Sequence, residues 1–237
     1  MTKKYFIVLD TETANSIEQP IPYDIGWVVC DRNGNIYEER SFVVSEIFCD
    51  MKDVMASAYY AEKIPCYWDD IKGGNRTIKP MWTIRKQLIA DMENYNTNMV
   101  GAYNMSFDKR ALNNLIRYTS KSWARWFFPY NTEYFCIWNF ACSVLLNTKG
   151  YINFALENNL ISEADNILTS AECAYKFITK DTEFREEHKG LEDVKIEVAI
   201  MAKCYKTHKK IENNVNSACW RKVQRKRKEM DLRAVFR

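Results

Sequence analysis

Hydrophobic and polar positions follow a strand-like pattern in the first part of the chain. Residues 5–9 form a continuous apolar run, residues 24–31 are mostly apolar, and residues 36–44 follow the pair Asn33 and Gly34. Continuous apolar runs suit buried strands, and Asn-Gly between two strands is a strong hairpin signal. The chain is therefore predicted to begin with three antiparallel strands in a meander.

Helical spacing dominates the rest of the chain, apart from one further strand at residues 99–103. Residues 47–80 predict only a short helix near 53–62, followed by an irregular stretch around Pro65. Ser106 is predicted to cap one of the later helices. Apolar residues recur at helical intervals over residues 82–95, 106–118, 138–146, 151–158, 170–178 and 190–206. This order predicts an α/β fold in which helices cover a mixed sheet.

Composition excludes several classes of protein. The 237 residues are 47% hydrophobic and 14% aromatic, which excludes a chain that is disordered throughout. The longest apolar stretch is far shorter than the roughly 20 residues of a membrane span, so no membrane association is expected. Eight cysteines without a C-x-x-C pair fit neither a zinc site nor a secreted disulfide framework. A reducing cytoplasmic location is expected, in a bacterial cell or a phage-infected host, since abundant Lys, Asn, Ile and Tyr fit such genomes.

Charge is distributed unevenly along the chain. From Lys203 to the end there are 12 basic and 3 acidic residues, whereas the preceding part is net acidic. A basic tail on an acidic body indicates binding to nucleic acid or another anionic surface, although a solvated helix end has the same composition. We expect a catalytic domain over residues 1–205 and a basic helical tail over 206–237.

The first candidate for chemistry is Asp10-Thr11-Glu12, directly after the first predicted strand. Alternation along a strand places both carboxylates on one side, where a hard cation would relieve their repulsion. The same D-x-E pattern recurs at Asp181 and Glu183 without any sign of a site, so the pattern alone is weak evidence.

Two further motifs contain acids at predicted helix starts. Asn104 and Asp108 flank the start of one helix, where an acid either serves a site or simply stabilises the first turn. His188 precedes Asp193 by five residues, and Gly190 permits a tight turn between them. This histidine is either a site residue or a surface residue in a charged loop.

Taken together, the three motifs resemble the DEDDh family of 3′→5′ exonucleases, the DnaQ-like branch of the ribonuclease H-like superfamily. The resemblance depends on their order and on two spacings, N-x3-D and H-x4-D, over residues 5–205. It implies a ribonuclease H-like fold with a mixed five-stranded sheet. The H-x4-D spacing indicates the histidine branch of the family.

The resemblance also implies a two-metal mechanism with two Mg²⁺ or Mn²⁺ ions. Asp10 would bridge both ions, Glu12 and Asp193 would complete one site, and Asp108 would help to hold the second ion through water. His188 would be the general base, since its ordinary pKa lies near the operating pH. The implied catalytic set is Asp10, Glu12, Asp108, His188 and Asp193, with the four acids as metal ligands.

The substrate contacts depart in part from the family pattern. Ala14 follows Thr13 where relatives often have a small pair such as Thr-Gly, and Tyr103 precedes Asn104 where they often have His. The predicted substrate-binding residues are Thr11, Thr13, Tyr103, Asn104 and Phe107. Four aromatic residues of the 47–80 region either stack on bases or belong to the core, namely Tyr59, Tyr60, Tyr67 and Trp68.

The sequence therefore predicts an enzyme, a 3′→5′ exonuclease that binds the 3′ end of single-stranded DNA and releases nucleoside 5′-monophosphates. One alternative is an exoribonuclease or short-oligonucleotide nuclease that uses the same site. A remote alternative is an inactive nucleic-acid-binding module. A proofreading role would need a polymerase or replication partner in trans, and the oligomeric state stays open.

Overall fold

The computed structural model describes residues 4–121, 126–207 and 210–235. Within these residues the strands are β1 (Tyr5–Ala14), β2 (Ile21–Asp31), β3 (Ile36–Val44), β4 (Thr77–Lys79), β5 (Met99–Ala102) and β6 (Glu133–Cys136). The helices are α1 (Ser45–Phe48), α2 (Lys52–Met55), α3 (Ile64–Lys72), α4 (Met81–Asn94), α5 (Met105–Thr119), α6 (Ile137–Val144), α7 (Lys149–Glu157), α8 (Ala171–Thr179), α9 (Gly190–Thr207) and α10 (Arg221–Val235). The six helices predicted between residues 82 and 206 are present, with bounds that differ by at most two residues.

The strands form one mixed sheet in the order β4-β3-β2-β1-β5-β6. The pairs β1–β2 and β2–β3 are antiparallel, and β1–β5, β5–β6 and β3–β4 are parallel. This confirms the predicted ribonuclease H-like α/β fold. The strand number is a correction, because the sheet has six strands rather than five. The short edge strands β4 and β6 carry too few residues to give a clear alternating pattern.

The first strand is longer than its apolar run. It continues through Asp10, Thr11 and Glu12 to Ala14, since β2 pairs with it along its whole length. The acid pair therefore lies within a strand, not after one as predicted, and a register shift follows Glu12. The predicted hairpin is confirmed at Gly34, whose φ of 87° suits a tight turn.

The two faces of the sheet pack against different helices. Ile7 and Leu9 of β1 belong to a core cluster with residues of α4 and α5. Phe6 and Val8 alternate with them and belong to a second cluster with residues of α6 and α9. By the same alternation, Asp10 lies on the face of Phe6 and Val8, and Thr11 lies on the face of Ile7 and Leu9.

Residues 47–80 contain more helix than predicted. In place of a helix near 53–62, α2 is followed by a single 3-10 turn at Ala61–Lys63. The supposedly irregular stretch contains α3, with Pro65 in its first turn. Proline is tolerated there because the first helical N–H groups have no partner within the helix.

The described part of the basic tail packs against the body of the protein. Val223 of α10 is fully buried in the second cluster, and the Lys222 ammonium donates to Ser143 and Asn139 of α6. Two basic residues of the tail, Lys209 and Arg237, lie outside the described residues. The division at residue 205 stays a prediction.

Across the described ranges, every helix is too short or too polar to cross a membrane.

Candidate active site

Alternation along β1 directs Asp10 and Glu12 to the same face of the sheet, the face that α9 covers. Glu12 is buried and Asp10 is half-buried. Asp10 lies opposite Gly26 in the β1–β2 register. The two carboxylates are thus held by paired backbone, which gives them little freedom to move apart.

Helix α5 brings Asp108 to the edge of the same site. Asn104 takes the N-cap position that was predicted for Ser106, and Asp108 lies in the first turn as predicted. The side chain of Asp108 is buried, and the Thr11 hydroxyl donates a 2.8 Å hydrogen bond to its Oδ1. Because Thr11 lies between the two acids of β1, this bond connects the third acid to them.

Helix α9 approaches the sheet through two glycines. A Cβ on Gly26 would lie 2.3 Å from the Leu191 nitrogen and 2.4 Å from the Gly190 carbonyl carbon, so no larger residue fits. The Gly190 N–H donates 3.0 Å to the buried carboxylate of Asp24. This close contact sets the start of α9 directly against β2, beside the position of Asp10.

The start of α9 brings two more predicted site residues close to Glu12. Asp193 lies in its first turn, and His188 lies in the loop before it, as predicted. One ligand atom each from Glu12, His188 and Asp193 fall within 4.8 Å of one another. The second D-x-E pattern is different, since Asp181 caps its own loop by accepting from the N–H groups of Glu183 and Phe184.

The acids of the site strongly perturb one another. Burial and repulsion from Asp108 and Glu197 raise the pKa of Asp10 well above its ordinary value. Burial and repulsion from Asp193 raise the pKa of Glu12 to about 8. Burial also raises the pKa of Asp108 to about 7 and that of Asp193 to about 8. Clustered buried acids of this kind are typical of functional sites.

Sequence analysis missed a fifth acid, Glu197. Its side chain is only 3% exposed, and its Oε2 has no hydrogen-bond partner among the described residues. Burial and repulsion from Asp108 raise its pKa well above the ordinary value. The sequence did contain a sign that Glu197 faces the site. Glu197 follows Asp193 by one helical turn, so the two share a helix face, and it lies between the apolar residues Ile196 and Val198.

The donor set fits hard divalent cations. Within the part of the chain that the structure describes, Oδ1 of Asp193, like Oε2 of Glu197, is buried without a hydrogen-bond partner. A buried carboxylate oxygen without a donor is costly, and a bound cation would satisfy it. Several carboxylate oxygens in one site are the ligands that Mg²⁺ and Mn²⁺ prefer.

His188 has the properties of a proton acceptor in an unusual backbone setting. Burial and the charge of Lys63 lower the pKa of His188 below its ordinary value, which favours the neutral imidazole. Its φ of 53° lies in the left-handed region, which is uncommon for a residue other than glycine. Such conformations persist only where the surroundings hold them.

The predicted substrate-binding residues differ in how far they are buried and in what their side chains already bind. Thr13 and Phe107 are half-buried, and Asn104 accepts a 3.1 Å hydrogen bond from Ser106. The Tyr103 ring is buried, and its hydroxyl donates 2.7 Å to the Thr169 carbonyl oxygen. The Thr11 hydroxyl donates to the Asp108 carboxylate. The substrate contacts of all five stay predictions.

No protein-family model matches the chain, and no curated protein matches its sequence. Solved structures do match its fold. Exonuclease I of E. coli, solved in complex with a dT13 oligonucleotide, aligns with a TM-score of 0.51 and 12% identity over 87% of this chain and 42% of that one. A structure of exonuclease I that suggests how processivity is achieved aligns with a TM-score of 0.51 and 16% identity over 86% of this chain and 41% of that one.

The chain is therefore similar in structure to exonuclease I over most of its own length. It spans about two fifths of the length of the exonuclease I chains. At these identities the likeness concerns the fold, and the chemistry has to be argued from the residues of the site.

Proposed function

We propose that this protein is a metal-dependent 3′→5′ exonuclease that hydrolyses single-stranded DNA from its 3′ end. The observation that carries the proposal is the convergence of Asp10, Glu12, Asp108 and Asp193 with His188. These residues come from three separate parts of the chain, and three of the four acids, Glu12, Asp108 and Asp193, are buried. The clustering is costly without a ligand, so a role in binding and chemistry accounts for it.

The carboxylates would hold two Mg²⁺ or Mn²⁺ ions. Asp10 would contribute to holding both ions, since Asp108, Glu12 and Asp193 all repel its carboxyl. Glu197 would add a further carboxylate, since it interacts with Asp108 and Asp193. Two bound divalent cations supply activation of a water molecule and stabilisation of the leaving oxygen.

His188 is the proposed general base. The neutral imidazole, favoured by burial and by Lys63, would take one proton from the attacking water. The water oxygen forms a bond to the terminal phosphorus, and the bond from that phosphorus to the 3′ oxygen of the preceding nucleotide breaks. The products are a nucleoside 5′-monophosphate and a strand shorter by one nucleotide.

Single-stranded DNA is the favoured substrate class. Exonuclease I, which shares this fold, has been solved with a dT13 oligonucleotide. Exposed aromatic and basic groups suit unpaired nucleic acid, and Tyr59 is 74% exposed next to the site, with its N–H 3.4 Å from the Thr13 carbonyl oxygen. Action in the cytoplasm of a bacterial or phage-infected cell, beside a polymerase or replication partner, stays part of the prediction.

A gel time course tests the proposal. Single-stranded DNA and RNA of matched sequence, both labelled at the 5′ end, are incubated with Mg²⁺, Mn²⁺ or EDTA, beside the variant Asp10→Asn. The expected result is a metal-dependent ladder that shortens from the 3′ end, faster for DNA and absent in the variant. Faster shortening of RNA would favour the exoribonuclease alternative.

A binding role without catalysis gives a different result. Neither polymer would shorten in any metal, and Asp10→Asn would bind strands as wild type does. Lys228 and Arg225 are exposed on α10, so strand binding that weakens steeply with salt is expected under either function.

A further inference from the structure

Residues 60–76, which we call the 60–76 segment, lie against the loop that carries His188. The His188 loop comprises residues 180–189 between α8 and α9. From the sequence, its aromatic residues Tyr60, Tyr67 and Trp68 were expected either to stack on bases or to belong to the core. Four of its side chains contact the His188 loop or the first turn of α9, namely those of Tyr60, Lys63, Asp70 and Arg76.

The ring of Tyr60 stacks on the imidazole of His188. The ring centroids are 4.0 Å apart and the planes differ by 12°. Lys63, three residues later, donates from its ammonium to the carbonyl oxygen of Glu187. One contact thus orients the imidazole plane, and the other holds the backbone immediately before it.

Charged groups of α3 hold the residue after His188. The Lys189 ammonium forms a 2.9 Å ion pair with Asp70. Asp70 also accepts 3.3 Å from Nε of Arg76. Asp69, its neighbour in the sequence, is exposed and only reaches Lys72 at 4.0 Å.

A buried guanidinium connects the segment to α9. The side chain of Arg76 is 2% exposed and donates to Asp24 at 2.8 Å and to Glu192 in the first turn of α9. Asp24 also accepts from the Gly190 N–H, as described above, and from the Tyr67 hydroxyl at 2.8 Å. Buried, multiply bonded groups of this kind are rigid when every partner is satisfied.

These contacts hold His188 in a left-handed backbone conformation. Such a conformation is unfavourable for a residue other than glycine and persists only where the surroundings impose it. The loop is held just before His188 by Lys63, just after it by Asp70, and at the ring itself by Tyr60. Position and ring orientation are therefore both determined from outside the loop.

We propose that the 60–76 segment holds the His188 loop in the position needed for catalysis, with Tyr60 as the residue that orients the imidazole. Tyr60 is a positioning residue, because it acts through His188. The inference rests on the proposed function of His188 as the general base. A general base works only within hydrogen-bond reach of the proton that it takes, and small misplacements cost up to roughly 100-fold in rate.

Steady-state kinetics on single-stranded DNA with saturating Mg²⁺ test the inference. Tyr60→Phe keeps the stack and should retain nearly the wild-type kcat. Tyr60→Leu should lower kcat roughly 10- to 100-fold with little change in KM. A raised KM with unchanged kcat would overturn the inference, because it would make Tyr60 a substrate contact.

A matched pair of α3 variants tests the loop contact. Asp70→Asn removes the charge that pairs with Lys189 and should lower kcat, whereas Asp69→Asn should behave as wild type. Equal kcat values for the two variants would contradict a role of α3 in holding the loop.

Proton NMR gives a readout that does not depend on activity. The chain has two histidines, His188 and His208, so a His208→Gln variant assigns both imidazole signals. The ring current of Tyr60 should shift the His188 signals upfield, and Tyr60→Leu should remove that shift, whereas Tyr130→Leu at an exposed site should not.

An unmoved His188 signal in Tyr60→Leu would overturn the inference even if wild type is active. A moved signal in a protein that cleaves no strand would instead overturn the proposed function and leave the contact standing.

Discussion

The hydroxyl of Thr11 donates a 2.8 Å hydrogen bond to the Asp108 carboxylate. The two residues lie 97 positions apart, and the bond joins the middle of β1 to the first turn of α5. It stabilises the charged form of Asp108, opposing the burial that raises the pKa of this carboxyl to about 7. Thr11 thus supports the carboxylate in the form that binds a cation.

Thr11→Val is expected to weaken cation binding at neutral pH. The variant keeps the shape of the side chain and removes the donor, so more of Asp108 is protonated in the metal-free protein. A hydrogen bond to a charged group contributes about 1.5–3 kcal/mol, and we expect Mn²⁺ affinity to fall roughly tenfold or more by calorimetry. Thr11→Ser keeps the hydroxyl and is the control; equal losses in both variants would show that the hydrogen bond is not the cause.

The free energy of unfolding should fall as pH rises when divalent metals are removed. The carboxyls of Glu12 and Asp193 have pKa values of about 8 in the folded protein and ordinary values of 4.5 and 3.8. Between about pH 4 and 8 the folded state therefore holds protons that the unfolded state has lost, and this stabilisation disappears across that window. Urea unfolding in EDTA measures it.

Saturating Mg²⁺ should reverse this trend. The cation binds the ionised carboxylates of the folded state, so its stabilising effect should be larger near pH 8 than near pH 5. Asp10→Asn should weaken both the pH dependence and the Mg²⁺ effect. Stability that rises with pH in EDTA would contradict the described electrostatics.

Glu197→Gln should stabilise the metal-free protein near pH 8. The substitution replaces a buried carboxyl, whose ionised form burial and Asp108 disfavour, with an amide that carries no charge at any pH. The amide oxygen can still accept a hydrogen bond. A gain of about 1 kcal/mol would raise the Tm by roughly 2–4 °C in a protein of this size. With Mn²⁺ added, the variant should gain less stability than wild type.

Glu93→Gln on the exposed surface of α4 is the control for Glu197→Gln. It should change the Tm little, with or without Mn²⁺. A Glu197→Gln protein that is less stable than wild type without metal, and equally responsive to Mn²⁺, would remove Glu197 from the cation site.

Gly26→Ala should disrupt the site through the backbone. A Cβ at this position would lie 2.3 Å from the Leu191 nitrogen, so the start of α9 would have to move away from β2. We expect a loss of about 1–3 kcal/mol in stability, measured by urea unfolding, together with a large loss of nuclease activity. Gly150→Ala on α7 is the control, since its Cβ would meet only Phe177 at 3.9 Å; equal effects would contradict the close contact.

Local sequence patterns predicted the parts of the fold that depend on local chemistry. The Asn33-Gly34 turn and the apolar runs identify the β-meander, and helical spacing identifies α4, α5 and α9. The edge strands β4 and β6 were missed because they are short and partly exposed, whereas the equally short β5 is fully buried and reads as an apolar run. Helix α3 was missed because a proline within a segment favours irregular structure, whereas Pro65 lies in the first helical turn, where proline is tolerated.

The part of the candidate site that depends on spacing within a single motif could be predicted from the sequence. N-x3-D and H-x4-D place Asp108 and Asp193 at helix starts and His188 in a loop. Glu197 was missed because an acid within an apolar helix acquires a role only when that face packs on the sheet. The partners of Arg76 come from four parts of the chain, Asp24, Ser41, Asp70 and Glu192, so tertiary contact alone reveals them.

The central claim is best tested by the order in which the two ends of a single strand are released. Single-stranded DNA with different labels on its 3′- and 5′-terminal nucleotides is incubated with the protein and Mg²⁺, and the small products are separated over time. The proposed function predicts that the 3′ label appears first, as a nucleoside 5′-monophosphate, and that Asp10→Asn releases neither label. Release of the 5′ label first, or equal release by Asp10→Asn, would contradict it.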